Sequence, residues 1–198
     1  MTTLAVLGNG RVGSSLAAAL TRAGHEVSVA DRAPGAAADA AWKAQVVINA
    51  TPGAGSLERL AALREELRDK ILVDVSNATV DGPDGLPAGL VYPGSSLAEQ
   101  LQEALPRTRV VKTLNTMLFP VMTAPDTLTR APDVFLSGDD AQAKQMVREL
   151  LTDLGWRKEW ITDLGGIQTA RATEAAILFV PHVIRSSGFA PFAISIAR

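Results

Sequence analysis

The chain has no cysteine. That excludes disulfides, thiolate metal sites and cysteine nucleophiles, and it suits a reducing compartment such as the cytoplasm. Histidine is scarce, with two in 198 residues. No histidine–carboxylate cluster therefore suggests a metal, and no Ser-His-Asp set can be assembled. An excess of one charge is also missing. Nineteen basic and 21 acidic side chains leave a net charge of -2, which argues against a nucleic-acid or anionic-membrane surface. No apolar run approaches the roughly 20 residues that cross a bilayer. The run Ala175–Val180 stops at Pro181. The N-terminal MTTLAVLG lacks the basic region and apolar length of a secretory signal.

What is present alternates. Short apolar runs read as buried parallel strands: TLAVLG, EVSVA, QVVINA, KILVDV, RVVKTL and DVFLSG, with WRKEWIT as a last strand. Between them lie helical stretches at Arg11–Ala23, Leu57–Leu67, Ser96–Ala104 and Asp139–Leu154. GAAADAAWKA reads as one short helix or an irregular link, and Asp81–Gly94 as a Gly/Pro-rich loop. Ser96 is the expected N-cap of its helix. The segment from Leu164 reads as helical up to Pro181. Strand–helix alternation predicts an α/β fold, a Rossmann-type doubly wound parallel sheet with a small C-terminal helical element. Residues 1–163 would form the dinucleotide-binding domain. Residues 164–198 would pack on it or form a dimer contact.

Gly8-Asn9-Gly10-Arg11-Val12-Gly13 fits G-x-G-x-x-G between a strand and a helix. The first glycine permits the tight turn, the second clears space for a pyrophosphate, and the third lets the helix press on the strand. The helix N-terminus offers free N–H groups to phosphates. Asp31 lies 18 positions after Gly13, at the end of the second strand. An acid there accepts from ribose hydroxyls and favours NAD. Arg32 pulls the other way, because a guanidinium can grip a 2′-phosphate. The choice between NADH and NADPH stays open on these residues.

Three further strand ends fall on the carboxyl edge of the predicted sheet, where open α/β folds bind ligands. They carry Ala50-Thr51-Pro52, Ser76-Asn77 and Asn115-Thr116. Asn77 and Asn115 could hold a nicotinamide carboxamide or ribose, since an amide offers donors and an acceptor. Lys112 reads as an edge charge. Arg171 and Glu174, three apart, are expected to pair on one helical face. His25 reads as surface and His182 as core or interface. Phe179, Phe189 and Phe192 could line an acceptor pocket, form a dimer contact or, as the leading expectation, close the core.

Together, VLGNGRVGSSLAAALTRAGHEVSVADR, KILVDVSNAT, SSLAEQLQEALPRTRVVKTLNTM and DLGGIQTARATE resemble the NADP oxidoreductase family. That family includes the NADPH-dependent reductase of the deazaflavin coenzyme F420. The segments are also similar to the cytosolic domain of the six-transmembrane metalloreductases. The resemblance implies a Rossmann domain, hydride transfer between a nicotinamide and a flavin-like ring, and often a dimer. It also implies that the Thr51-Pro52 loop packs along the cofactor. Two departures stand out. Asp31-Arg32 replaces the usual Ser or Thr followed by Arg, and the segment between strands two and three is short.

The absences sharpen this reading. A hydroxyacid dehydrogenase needs a positioned acid or base for the hydroxyl proton. A flavin-like ring needs less, because solvent can supply its proton and the protein supplies position. The expectation is an NAD(P)H-dependent oxidoreductase without a metal or a dedicated catalytic side chain. It would pass hydride to coenzyme F420, FMN or a similar acceptor, as a homodimer in the cytoplasm, with no nucleic-acid or membrane partner. The alternatives are a dinucleotide-binding sensor without turnover and, more weakly, an imine or carbonyl reductase using Lys112 or a threonine.

Overall fold

The computed structural model describes residues 1–197. The chain begins with β1 (Thr3–Leu7), α1 (Arg11–Arg22), β2 (Glu26–Ala30), α2 (Ala36–Lys43) and β3 (Val46–Asn49). It continues through α3 (Ser56–Ala61), β4 (Ile71–Asp74), β5 (Thr79–Asp81), β6 (Pro87–Leu90), α4 (Leu97–Ala104) and β7 (Arg109–Lys112). Then come α5 (Phe119–Met122), β8 (Val134–Leu136), α6 (Ala141–Asp153), β9 (Ile161–Asp163), α7 (Ala170–Ala175) and α8 (Val180–Ser187).

Five strands form a parallel sheet in the order β2-β1-β3-β4-β7. The expected Rossmann-type architecture is therefore present. Side chains alternate across it. Leu4, Val6, Val46, Ile48, Val73 and Val111 pack on one face with Leu16 and Leu20 of α1 and Val147 of α6. Ala5, Leu7, Val47, Leu72 and Val110 pack on the other with Leu60 of α3 and Leu101 of α4. Both faces are covered, so these strands read as apolar runs rather than alternating ones. The chain passes from β1 outward to β2 and then back across to β3. The strand order thus reverses between β1 and β3, and open α/β sheets hold ligands beyond the strand carboxyl ends at such a reversal.

Several elements differ from the sequence expectation. The helix expected over Leu57–Leu67 ends at Ala61. Its ladder tightens there, with Leu63 N donating to Leu60 O, and Thr108 Oγ1 takes the carbonyl of Leu67. The chain must then turn into β4, and Asp69 adopts φ 61° to do so. The Gly/Pro-rich loop at Asp81–Gly94 contains most of a β-hairpin, with β5 and β6 antiparallel. Its Asp84-Gly85 turn places Gly85 at φ 71°, where glycine carries no steric cost.

The sixth expected strand does not extend the main sheet. β8 pairs in parallel with β9, and one antiparallel bridge between Lys112 and Ser137 ties that pair to β7. Trp156–Trp160, expected as strand, precedes β9. Trp156 is buried and donates to Met122 O. The C-terminal helices run past Pro181 to Ser187, because proline in the first turn of α8 lacks only an N–H that a helix start does not use. No helix among the described residues is long and apolar enough to cross a membrane.

Candidate functional site

The glycine turn follows the carboxyl end of β1, beside the strand-order reversal. Gly8 adopts φ 105°, and a Cβ there would lie 2.7 Å from Ala50 O. Ala50 N donates to Leu7 O. The turn after β1 and the loop after β3 are thus in direct contact across the strand-order reversal. At Gly13 a Cβ would fall 1.9 Å from Gly8 O, so only glycine lets α1 pack against its own entry turn. At Gly10 a Cβ would meet nothing within 4 Å. Its absence therefore serves no internal contact and leaves open space above the turn. Gly10 caps α1 without any side-chain hydrogen bond, and the first turn carries no acid. Free N–H groups under open space are chemically suited to an anion.

Around the turn, Asn9 accepts from Ser14 Oγ at 2.9 Å, and Val12 packs against the core. Arg11 is a cation at a helix N-terminus, where the dipole disfavours it unless an anion joins it. Its guanidinium lies 5.1 Å from the Phe119 ring centroid. Asp31 and Arg32 are both exposed beyond β2. Asp31 Oδ1 accepts from Ala33 N at 2.8 Å.

The other loops meet at the same edge. Thr51 Oγ1 donates to Asn49 Oδ1 at 2.6 Å, and Ser56 Oγ donates to Pro52 O at 3.1 Å. Arg59 also donates to Pro52 O. A Cβ on Gly53 would lie 2.1 Å from Asn77 O, so the β3 and β4 loops are pressed together. Asn77 Nδ2 donates to Asn115 O at 2.9 Å, and Asn115 Nδ2 donates to Asn77 Oδ1 at 3.0 Å. The two asparagines brace each other. Asn115 is buried and Asn77 half-buried.

Beneath these loops lies a buried polar network that the sequence reading missed. Lys112 is 1% exposed, so the expected edge charge is instead a core residue. β7 is covered on its open side by the Ser137 bridge, which explains the difference. Lys112 Nζ lies 2.8 Å from Asp74 Oδ2 and 2.8 Å from Glu174 Oε1, and it donates to Ser76 O. Burial opposes its charge, but Asp74 and Glu174 outweigh that and hold its pKa above the ordinary lysine value. Asn49 Nδ2 donates to Asp74 Oδ1 at 2.9 Å. Glu174 also accepts from Leu97 N and Ala98 N at the start of α4.

The expected Arg171–Glu174 pair does not form. Arg171 reaches Glu99, while Glu174 turns inward to Lys112. Nor is His25 a free surface residue. Its side chain is 8% exposed and pairs with Asp153 Oδ2 at 3.0 Å. His182 is exposed rather than core. Phe179 and Phe189 are exposed as well, so they do not close the core. The tail beyond them instead runs along the β7 loop, with Leu118 N donating to Phe192 O and Ile194 N to Thr116 O. A cavity of about 520 Å³ lies between the β5–β6 hairpin and α8, bordered by Pro83, Leu178 and His182.

Comparison with known proteins supplies the family. The family described as NADP oxidoreductase, coenzyme F420-dependent, matches residues 3–54, which hold the glycine turn and Asp31-Arg32. A crystal structure of an Arthrobacter sp. FB24 protein is 38% identical, covers 100% of both chains and superposes with a TM-score of 0.91. Its designation as an F420-dependent NADP-reductase is itself provisional. The chain belongs to the coenzyme F420-dependent NADP oxidoreductase family. The F420-dependent NADP reductase of Methanocaldococcus jannaschii is 28% identical over 138 residues, covering 69% of this chain and 60% of that one. An uncharacterized oxidoreductase of Bacillus subtilis, YfjR, is 28% identical over 186 residues, covering 89% and 61%. This member of the F420-dependent family thus spans about three-fifths of the length of those curated relatives.

Proposed function

We propose that the chain is an NAD(P)H-dependent oxidoreductase that passes hydride from a reduced nicotinamide to a flavin-like ring, with deazaflavin coenzyme F420 as the leading acceptor. The observation that carries this is the meeting of the glycine turn with three strand-end loops along one sheet edge. The open space at Gly10 and the unfilled N-terminus of α1 suit a pyrophosphate. Arg11, steadied on Phe119, adds a positive charge beside it.

Asp31 and Arg32 face the ribose end. Ala50, Thr51 and Pro52 form the wall beside the turn, fixed by their own bonds to Asn49, Ser56 and Arg59. Asn77 and Asn115 set the nicotinamide end. Asn77 keeps one amide N–H beyond the bond it gives Asn115. When bound, the nicotinamide supplies the hydride. The chain holds two ring faces together and excludes water between them. Its buried ionisable groups, Lys112, Asp74 and Glu174, are paired with one another, so solvent supplies the ring proton.

The β7 loop at Met117–Phe119 and the tail at Phe192–Ile194 form the acceptor side. Exposed Phe179 and Phe189 give an apolar surface suited to pairing two copies as a homodimer. A cysteine-free chain fits a reducing compartment, and we place it in the cytoplasm. Names of relatives support the acceptor class: the Methanocaldococcus protein is an F420-dependent NADP reductase. Anaerobic mixing with NADH or NADPH and oxidised F420 or FMN tests the reading. Rapid bleaching of one ring with loss of reduced nicotinamide is expected. Dinucleotide binding without turnover on either ring would instead favour a sensor.

A further inference from the structure

We infer that Asp31 makes this chain prefer NADH, the dinucleotide without a 2′-phosphate, although the family is named for NADP. The inference rests on the dinucleotide reading of the glycine turn. It is carried by where the charges stand.

β1 and β2 pair in parallel, with Leu7 opposite Ala30. Gly8 N donates to Ala30 O at 3.0 Å. Asp31 therefore follows directly on the residue bonded to the glycine turn, at the place where a ribose joined to that pyrophosphate would lie. The side chain is not loose. Its Oδ1 accepts from Ala33 N at 2.8 Å, closing a short turn. That bond leaves Oδ2 for the ribose hydroxyls, which donate to a carboxylate; a 2′-phosphate removes the 2′ donor and puts negative charge in its place.

Along the segment that follows β2, positive charge is sparse. Arg32 is the one base between Asp31 and Trp42, and Lys43 lies at the far end of α2. Asp39 stands in the first turn of α2, a second acid on this segment. A phosphate at the 2′ position would meet Asp31 first, as like charge at close range. Arg32 can stack or swing toward it, but it shares the site with the acid rather than replacing it.

Calorimetric titration without any acceptor tests this on the intact protein. Wild type is expected to bind NADH at least about tenfold more tightly than NADPH. Asp31→Asn keeps the turn and the hydrogen-bonding shape but removes the charge. It should narrow the ratio to within about threefold, chiefly by tightening NADPH. Arg32→Ala should change the ratio little. Tighter NADPH binding by wild type would overturn the inference and leave the dinucleotide reading standing. So would an unchanged ratio in Asp31→Asn or a selective loss of NADPH in Arg32→Ala. Failure to bind either dinucleotide would overturn both.

Discussion

Asp74 and Lys112 are register partners on β4 and β7, and their side chains meet at 2.8 Å with neither exposed to solvent. Glu174 completes the group from α7. One lysine thus joins two sheet strands, a C-terminal helix and the carbonyl of Ser76 in the β4 loop. Removing it leaves two buried carboxylates without a counter-charge. Lys112→Met should lower the unfolding free energy in urea by about 3–5 kcal/mol at neutral pH. Adding Asp74→Asn should restore part of that loss. The folded-state pKa of Lys112 is raised, so its contribution is complete below the ordinary lysine value. It is lost only as pH rises through the folded value. Stability should therefore show no loss from this group between neutral and mildly alkaline pH.

The glycines separate folding from binding. Gly13→Ala forces a Cβ into Gly8 O and should cost more than about 3 kcal/mol or prevent folding. Gly10→Ala meets open space at an ordinary φ of -85°. It should change unfolding free energy by less than about 1 kcal/mol. Dinucleotide affinity should nonetheless fall at least about tenfold, because the methyl enters the pyrophosphate space. Unfolding curves and calorimetry on the two variants check the contrast.

How much of this was legible in the residues varies by element. The five sheet strands and the α1 turn follow from buried apolar runs and from glycines with distinct steric duties. Ser96 caps α4 as its sequence indicates, accepting from Glu99 N. The β5–β6 hairpin was obscured because its prolines and glycines look like plain loop, although Asp84-Gly85 is a hairpin turn pair. The buried network left a signal that was passed over. An acid in KILVDV and a base in RVVKTL interrupt two otherwise apolar strands, and in a parallel sheet such charges must be paired. Glu174 could not be paired from spacing alone. Helical periodicity places it near Arg171, whereas tertiary packing brings Lys112 and the α4 N-terminus to it.

Arg171 and Glu99 give a pH-dependent test at the same helix. Burial raises the Glu99 pKa, but Arg171 and Ser96 outweigh it and leave it below the ordinary carboxylate value. A depressed carboxylate stabilises above its unfolded pKa and loses that contribution as pH falls through the folded one. Arg171→Ala should lower the melting temperature slightly at neutral pH, since the pair is largely open to solvent on the arginine side. The difference from wild type should vanish in acid once Glu99 is protonated. Thermal melts across pH would show it.

Asn77→Ala removes both bonds that join the β4 and β7 loops through these asparagines. It leaves the buried Asn115 amide without its acceptor, a loss of about 1–3 kcal/mol. Turnover should fall at least about tenfold in kcat/KM, since the nicotinamide end loses its brace. Dinucleotide affinity should fall less than in Gly10→Ala, because the pyrophosphate cradle is intact. Steady-state kinetics set beside calorimetry would separate the two.

The central claim is direct transfer between two rings held on one sheet edge. The most direct measurement uses a reduced dinucleotide carrying deuterium at both positions of the transferring nicotinamide carbon, mixed anaerobically with oxidised coenzyme F420. Mass analysis of the reduced acceptor would follow. The reduced deazaflavin is expected to retain the deuterium, with none released to water. Reduction without retained deuterium, or binding with no transfer to any ring acceptor, would contradict it.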